Sequence, residues 1–357
     1  MLEAIEQAQK SIRLEIYIYE PGPLATQFLE ALVRAQKRGA AVRVLVDALG
    51  SFRLPNDFWA PLREVGGQAR FFNPLSFHRL TIRDHRKSMV CDERVGFIGG
   101  FNIAQEYDGD GITKGWCDLG LKLEGTIAFE LAQAFDEMFA LADFQYKGFI
   151  RLRRFGVRKS IRAREVELLL SGPGRERSPI RRALLQDLRS ARDVQMIVAY
   201  FLPTWRIRHA LISVARLGGR VQLILPGKSD VLLAQLAGQS LYRRLLRAGV
   251  EIYEYEPQIL HAKLFIMDQV VYAGSANLDQ RSLNINYELL MRFADPKVTD
   301  QAREIFADKL RYCGKITLAE WRRSRSLWRR LKQRWAYFVL VRLDPYIAHK
   351  QWKGLAD

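Results

Sequence analysis

The 357-residue sequence is poor in cysteine and histidine, has fewer acidic than basic residues, and contains no long apolar run. Its three cysteines, Cys91, Cys117 and Cys313, are odd in number, scattered and without metal-ligand spacing. That argues against a disulfide framework and against a zinc site, and it favours a reducing, cytoplasmic setting. No apolar stretch approaches the ~18 residues of a membrane span, and the opening MLEAIEQAQKSIRLE lacks the apolar core of a signal peptide. The expectation is a protein that is soluble or peripheral to a membrane, not one that spans it. The shortage of acid, 39 Asp and Glu against 56 Lys and Arg, leaves a formal charge of +17. Such a charge calls for an anionic partner, whether nucleic acid, an acidic membrane surface or a phosphate-bearing substrate, and does not choose among them.

What is present is ordinary globular material, 48% hydrophobic and 27% charged, in a chain longer than one core usually organises. Two domains are the natural reading. Leu2, Ile5, Ala8 and Ile12 lie at helical spacing and precede the strand-like LEIYIYEP. FLEALVRAQKRG closes a second helix on Gly39, and AVRVLVD ends a second strand at Asp47, so the unit is β-α-β with parallel pairing. The strand ARFFNP follows. After VGFIGGFN, the acidic, glycine-rich EYDGDGITKG, residues 106–115, is expected to be a loop at the mouth of a site. The strand CDLGLKLEG and a helix from Ile127 to Phe144 come next. Residues 147–164, KGFIRLRRFGVRKSIRAR, hold no acid and read as a linker or an exposed basic strip.

Then the pattern repeats. EVELLLSG, IRRALLQDLRSA, VQMIVAYFLP and RVQLILPG restate strand, helix, strand and strand. Pro21 and Pro203 lie 182 positions apart, Gly39 and Gly218 lie 179 apart, and His85 and His261 lie 176 apart. Nearly constant offsets mean an internal duplication, two copies of one α/β unit. The second half opens with a strand, EVELLLSG, that has no counterpart before the first half's opening helix. The first sheet is therefore expected to have an uncovered edge.

The duplication carries a motif. HRKSMVCD begins at His85 and HAKLFIMD at His261, so H-x-K-x4-D occurs twice in a chain with only five histidines. One chance match is a roughly one-in-a-hundred event. On a strand, His at i and Lys at i+2 share a face, which pairs His85 with Lys87 and His261 with Lys263. Asp92 and Asp268 have the opposite parity and precede turns, so their expected part is supporting rather than contact with substrate. Carboxylates that orient the imidazoles are sought on the following strands, at Asp118 and Glu288. If the copies pack about a pseudo-twofold axis, two imidazoles and two lysines converge on one pocket. That set suits a phosphodiester: a nucleophile, an acid for the leaving alkoxide, and cations for the phosphoryl oxygens.

The two motifs, followed by GGFN (Gly99–Asn102) and by GSANLDQRSLNINYE (Gly274–Glu288), resemble those of the phospholipase D superfamily. The layout is most similar to the bacterial cardiolipin synthases, the B type in particular, over residues 1–315. The resemblance implies two tandem, pseudo-twofold-related phospholipase D-like α/β/α domains with mixed, largely parallel sheets, spanning 1–146 and 165–315. Residues 147–164 would join them, and 316–357 would form a C-terminal amphipathic helical tail. It further implies a transfer without metal or other cofactor. His85 would attack phosphatidylglycerol to form a phosphatidyl-histidine, and His261 would protonate the departing glycerol and then deprotonate the hydroxyl of a second phospholipid. Lys87, Lys263, Asn102 and Asn277 would hold the phosphoryl oxygens, with Ser275 assisting and Asp118 and Glu288 at the edge of the substrate site. Asp92 and Asp268 complete the family's motif.

The tail adds a lipid signal. Trp321, Trp328 and Trp335 are seven apart, with Ser324, Leu331 and Phe338 three residues after each, and Arg322, Arg323, Arg329, Arg330, Lys332 and Arg334 fill much of the remainder. A continuous helix would gather most of these rings on one face, either as an interfacial helix on anionic lipid or as a cap on the second domain. The expected partner is thus an anionic phospholipid membrane holding phosphatidylglycerol, with no nucleic acid and no obligate protein partner. The expected place is the cytoplasmic face of the bacterial inner membrane. Phospholipid hydrolysis is the main alternative, and a nuclease of the same superfamily is another, since the same residues cleave nucleic acid phosphodiesters.

Overall fold

The computed structural model describes residues 1–55, 57–74, 82–142, 159–163, 165–173, 178–324 and 326–343. The first half contains β1 (Ser11–Ile16), β2 (Ala41–Asp47), β3 (Gln68–Phe72), β4 (Ser88–Cys91), β5 (Val95–Gly99) and β6 (Gly120–Glu124), in the order β3-β2-β1-β4-β5-β6. Its helices are α1 (Leu2–Gln7), α2 (Pro23–Lys37), α3 (Ala60–Glu64) and α4 (Thr126–Leu141). Helix α2 starts on a proline, whose missing N–H has no intrahelical partner at that position anyway, and ends before Gly39, which takes a φ of 102°. Phe144, the expected end of α4, lies outside the described residues.

The second half contains β7 (Lys159–Ala163), β8 (Val166–Ser171), β9 (Asp193–Val198), β10 (Arg220–Pro226), β11 (Glu251–Tyr255), β12 (Lys263–Met267), β13 (Val270–Gly274), β14 (Glu288–Phe293) and β15 (Cys313–Ile316). Their order is β15-β11-β10-β9-β12-β13-β14-β8-β7. The helices here are α5 (Pro179–Ser190), α6 (Trp205–Arg216), α7 (Leu232–Gln239), α8 (Tyr242–Leu246), α9 (Gln280–Asn284), α10 (Pro296–Leu310), α11 (Leu318–Arg323) and α12 (Leu327–Phe338). The segment β11-β10-β9-β12-β13-β14 repeats β3-β2-β1-β4-β5-β6 strand for strand, which is the duplication in three dimensions. Among the described residues β14 pairs with β8, whereas its counterpart β6 is the last strand of its sheet, as expected.

The sheets are mixed, but not largely parallel. Among the ladders between strands of the described residues, those of β1 with β2, β2 with β3, β9 with β10 and β10 with β11 are parallel and every other one is antiparallel. The cause is connection length. Helical crossovers join the opening strands, whereas tight turns after Cys91 and Met267 return the chain at once, which only antiparallel neighbours permit.

Part of the expected linker is sheet. Lys159–Ala163 forms the edge strand β7 on β8, and Lys159 and Arg162 reach Glu137 and Glu167 at 2.5 and 3.1 Å, so the acid-free stretch takes its counter-charges from both halves. Residues 147–158 and 164 lie outside the described residues. The halves share a core as well: Val90, Ile98 and Leu131 from the first pack in one cluster with Ile197, Leu264 and Val271 from the second.

Among the described residues the tail is two α-helices, the second running on into a π-helical end at Val339–Leu343, not one continuous stripe. Thr317 and Ser326 each accept a backbone N–H, from Glu320 and Arg329, and so start α11 and α12 separately. Trp321 leaves the expected row and is buried against Tyr242, ring centroids 4.8 Å apart. Residues 344–357 lie outside the described residues.

Candidate active site

The site is assembled by backbone pairing between the halves. Two isolated bridges, Asp84 with Tyr287 and Cys117 with Leu260, are related by the duplication and each joins one half to the other. The His85 N–H donates to the Tyr287 carbonyl at 2.9 Å, and the His261 N–H donates to the Cys117 carbonyl at 2.7 Å. The next residue in each case is an acid, Glu288 or Asp118. Each half therefore delivers a carboxylate to the other half's histidine.

The two pairs are not equivalent. His261 Nδ1 and Asp118 Oδ2 form a hydrogen bond of 2.7 Å. A carboxylate only accepts, so Nδ1 carries the proton and Nε2 keeps its lone pair. His85 Nδ1 lies 2.9 Å from Glu288 Oε1, but off the line that a hydrogen bond requires. The other oxygen of Glu288 accepts from the Ser275 hydroxyl. Burial pushes the Glu288 carboxyl up to about 7, against the pull of Lys87 and Ser275. Burial, and then Lys87, hold His85 well below the usual histidine range, and burial, and then Lys263, lower His261. Burial thus biases both imidazoles toward the neutral form.

Both lysines are buried beneath the histidines. The Lys87 ammonium donates to the His85 carbonyl at 2.7 Å and lies 4.9 Å from the centre of the Tyr17 ring. The Lys263 ammonium donates to the His261 carbonyl and lies 3.0 Å from His261 Nδ1. Burial pushes Lys87 down to about 7 and also lowers Lys263.

Above them opens a cavity of about 600 Å³ whose wall includes His85 and His261. The expected mouth loop contributes Tyr107, and Trp116 follows just after it. Both rings lie 5.5 Å from His261, while Tyr17 meets His85 edge-on at 4.7 Å. Aromatic walls of this kind exclude water from the imidazoles.

The remaining expected residues divide. Asn277 lines the cavity, buried, with an Oδ1 that has no partner. Asn102 also lines it, but its side chain is spoken for: Oδ1 accepts the Ile18 N–H at 3.0 Å and Nδ2 donates to the Tyr107 hydroxyl at 2.8 Å. Ser275 is spent on Glu288 and on the Leu289 N–H, so it orients a carboxylate instead of touching substrate. Asp118 and Glu288, sought on the following strands as carboxylates for the imidazoles and set by the resemblance at the edge of the substrate site, lie against the histidines.

Asp92 and Asp268 are far from the chemistry, at the opposite ends of their strands. The Asp92 carboxylate accepts three backbone N–H groups, from Gln9, Lys10 and Ser11, at 2.8 to 3.0 Å. Asp268 does the same for Arg192 and Asp193 at 3.1 and 2.9 Å. Both take left-handed backbone, φ 55° and 51°, which Asp and Asn tolerate best among residues with side chains. Asp92→Ala is expected to cost about 1–2 kcal/mol in a denaturant titration while leaving kcat per folded molecule unchanged, and Asp92→Asn to cost less.

The first motif has a polar backing that the second lacks. Behind it, Glu15, Asp84, Arg86 and Ser88 are buried together, with the Ser88 hydroxyl 3.1 Å from Glu15. The second motif has Leu260, Ala262 and Leu264 at the places of Asp84, Arg86 and Ser88. The difference between DHRKS and LHAKL was the available signal.

Comparison with known proteins agrees with this geometry. The family model described as "Cardiolipin synthase, PLD-like domain" matches residues 1–139 and 184–310. Cardiolipin synthase 1 of Bacillus anthracis is 32% identical over 329 residues, covering 88% of this chain and 65% of that protein. The major cardiolipin synthase ClsA of Bacillus subtilis is 30% identical over 343 residues, covering 93% and 70%. The chain thus spans about 65% of the length of the Bacillus anthracis relative. The crystal structure of phosphatidylserine synthase from Haemophilus influenzae superposes with a TM-score of 0.75 over 97% of this chain and 91% of that one, at 15% identity, a likeness of fold. A duplicated α/β unit, a histidine from each copy on the wall of one cavity with its lysine buried beside it, and the family match agree: the chain belongs to the phospholipase D-like family of the cardiolipin synthases.

Proposed function

We propose that the chain transfers a phosphatidyl group from phosphatidylglycerol to the hydroxyl of a second phospholipid, working peripherally on anionic lipid at the cytoplasmic face of the membrane. The observation that carries this reading is the pair of imidazoles in one cavity, each backed by a carboxylate from the opposite half. His85 Nε2 attacks phosphorus and the bond to the glycerol oxygen breaks. His261 gives that oxygen its proton, and glycerol leaves. His261 Nε2 then takes the proton of the acceptor hydroxyl, whose oxygen attacks phosphorus and breaks the P–N bond, giving cardiolipin and free His85.

The environments suit these parts. His85, held neutral by burial, keeps a lone pair for attack. His261, hydrogen-bonded to Asp118, has the partner that stabilises an imidazolium. An anionic phosphodiester beside it opposes the lowering by Lys263 and restores its affinity for the proton. Lys87 and Lys263 supply charge, and the Asn277 amide nitrogen a donor, at the phosphoryl oxygens, where one such donor commonly contributes ~3–4 kcal/mol.

The test is incubation with labelled phosphatidylglycerol vesicles, with and without EDTA, followed by lipid separation. The expected products are cardiolipin and glycerol, undiminished by chelator. Phosphatidic acid in place of cardiolipin indicates hydrolysis, and DNA degradation without lipid turnover sinks the reading. The pH profile of kcat/KM is expected to be a bell. Burial and then Lys263 lower His261, so the general acid loses its proton first as pH rises and the alkaline limb begins below the ordinary histidine value; the Lys87 cation, held near 7 by burial, is lost next and steepens it. Burial holds His85 low, so the nucleophile stays neutral until pH falls below the ordinary histidine range, where the acid limb lies. A flat profile through pH 7 would contradict the part assigned to Lys87.

A further inference from the structure

Helix α12 packs the wrong way round for a domain cap. Its buried residues are Gln333 and Ala336; the Gln333 amide reaches Gln239 of α7 at 3.3 Å, and the Tyr337 hydroxyl accepts from Arg208 of α6 at 3.0 Å. The opposite face is apolar and open: Leu327 is 78% exposed, Trp328 74%, Leu331 58%, Trp335 62% and Phe338 53%. At 100° per residue these five fall within a ~100° arc centred opposite Gln333 and Ala336. Arg330 and Arg334 flank the arc on one side and Lys332 on the other.

The cations beside the arc are crowded. Arg243, Arg247, Arg322, Arg330 and Arg334 come from α8 and its end, α11 and α12, and no carboxylate lies within 4 Å of any of them among the described residues. Their mutual repulsion, Arg247 first, lowers the proton affinity of Arg243. A surface that gathers like charge around exposed rings is matched by an anionic partner with an apolar interior.

The same elements form the cavity mouth. Val231 and Ala234, at the start of and within α7, line it, as does Leu340 just beyond α12. Val231 and Leu232 are themselves exposed, and on the first half Leu49 lines the cavity while Phe52, in the same turn, is 64% exposed.

We propose that the outward face of α12, with its arginine flank, is the docking surface for an anionic phospholipid bilayer, and that it seats the cavity mouth on the membrane so that substrate headgroups reach His85 and His261 without leaving the lipid surface. The consequence for turnover rests on the phosphatidyl-transfer reading; the docking itself does not.

Two variants of the full chain test it, Trp328→Ser/Leu331→Ser/Trp335→Ser on the face and Arg330→Glu/Arg334→Glu on the flank. Each is measured for co-sedimentation with phosphatidylglycerol vesicles and with phosphatidylcholine vesicles, and for turnover of long-chain phosphatidylglycerol in vesicles against a monomeric short-chain form. The wild type is expected to prefer the anionic vesicles. Both variants should lose binding and vesicle turnover by about tenfold or more, with turnover of the monomer within about twofold of wild type. Wild-type binding by the face variant, or equal wild-type binding to both vesicle types, overturns the proposal. So does a change in oligomeric state with vesicle binding intact, which would give the face to a second copy of the chain. Loss of vesicle binding by the variants in a protein that turns over neither lipid supports the docking surface and removes the activity reading alone.

Discussion

Asp118→Asn is expected to lower kcat by about 10²- to 10⁴-fold with little change in KM, and to do more damage than Glu288→Gln. The reason lies in how each carboxylate meets its histidine. Asp118 makes an aligned 2.7 Å hydrogen bond to His261 Nδ1, which places the proton there and leaves Nε2 to work. An amide in its place presents either a donor or a weaker acceptor. The donor orientation moves the proton to Nε2, and a neutral imidazole with that tautomer has no lone pair in place for the acceptor hydroxyl. The second half-reaction should therefore slow most, and the covalent intermediate should accumulate. Glu288 meets His85 off line, and burial pushes its carboxyl up to about 7, which weakens its charge at neutral pH. Its replacement by an amide removes less, about 10- to 10²-fold. Rates of the two half-reactions by rapid quench decide this, and equal losses in the two variants would contradict the asymmetry.

His85→Asn should abolish both turnover and the covalent adduct, a loss of at least about 10⁴-fold, because in the proposed transfer the imidazole forms the bond to phosphorus and an amide cannot. His261→Asn should behave differently. With a phosphatidyl ester of p-nitrophenol the leaving group needs no proton, so this variant is expected to release one equivalent of nitrophenolate and then stop, trapped as phosphatidyl-His85. A burst from His85→Asn and none from His261→Asn would reverse the two parts. The geometry favours His85 as nucleophile, since His261 has the aligned carboxylate that an acid and base needs and His85 does not.

Much of the fold and the site was legible in the chain because it is local or repeated. The offset between the halves exposes the duplication, and parity sets His85 and Lys87, and His261 and Lys263, apart from Asp92 and Asp268, although His85, Lys87 and His261 lie just before their strands, β4 and β12. That Asp118 and Glu288 lie beside the histidines is also readable from their place on the following strands. Which acid serves which histidine is not, because the pairing crosses between halves and depends on the Asp84–Tyr287 and Cys117–Leu260 bridges, contacts that no period encodes. Ser275 and Asn102 look like ligands for phosphate in one dimension, and only the fold shows that Glu288 and the Ile18 N–H take them. The tail misled through its heptad spacing: Thr317 and Ser326 restart the helix, so Trp321 turns inward while Trp328 and Trp335 stay out. The buried group of Glu15, Asp84 and Arg86 is likewise invisible to hydropathy, which places such residues at the surface.

The central claim is that one site, divided between the halves, passes a phosphatidyl group through His85. Mass spectrometry of the wild-type protein quenched during turnover of phosphatidylglycerol, under conditions that preserve phosphohistidine, tests it most directly. A phosphatidyl adduct is expected on the peptide that carries His85 and none on the peptide that carries His261. An adduct on His261, or sustained turnover with no adduct on either histidine, would contradict the claim.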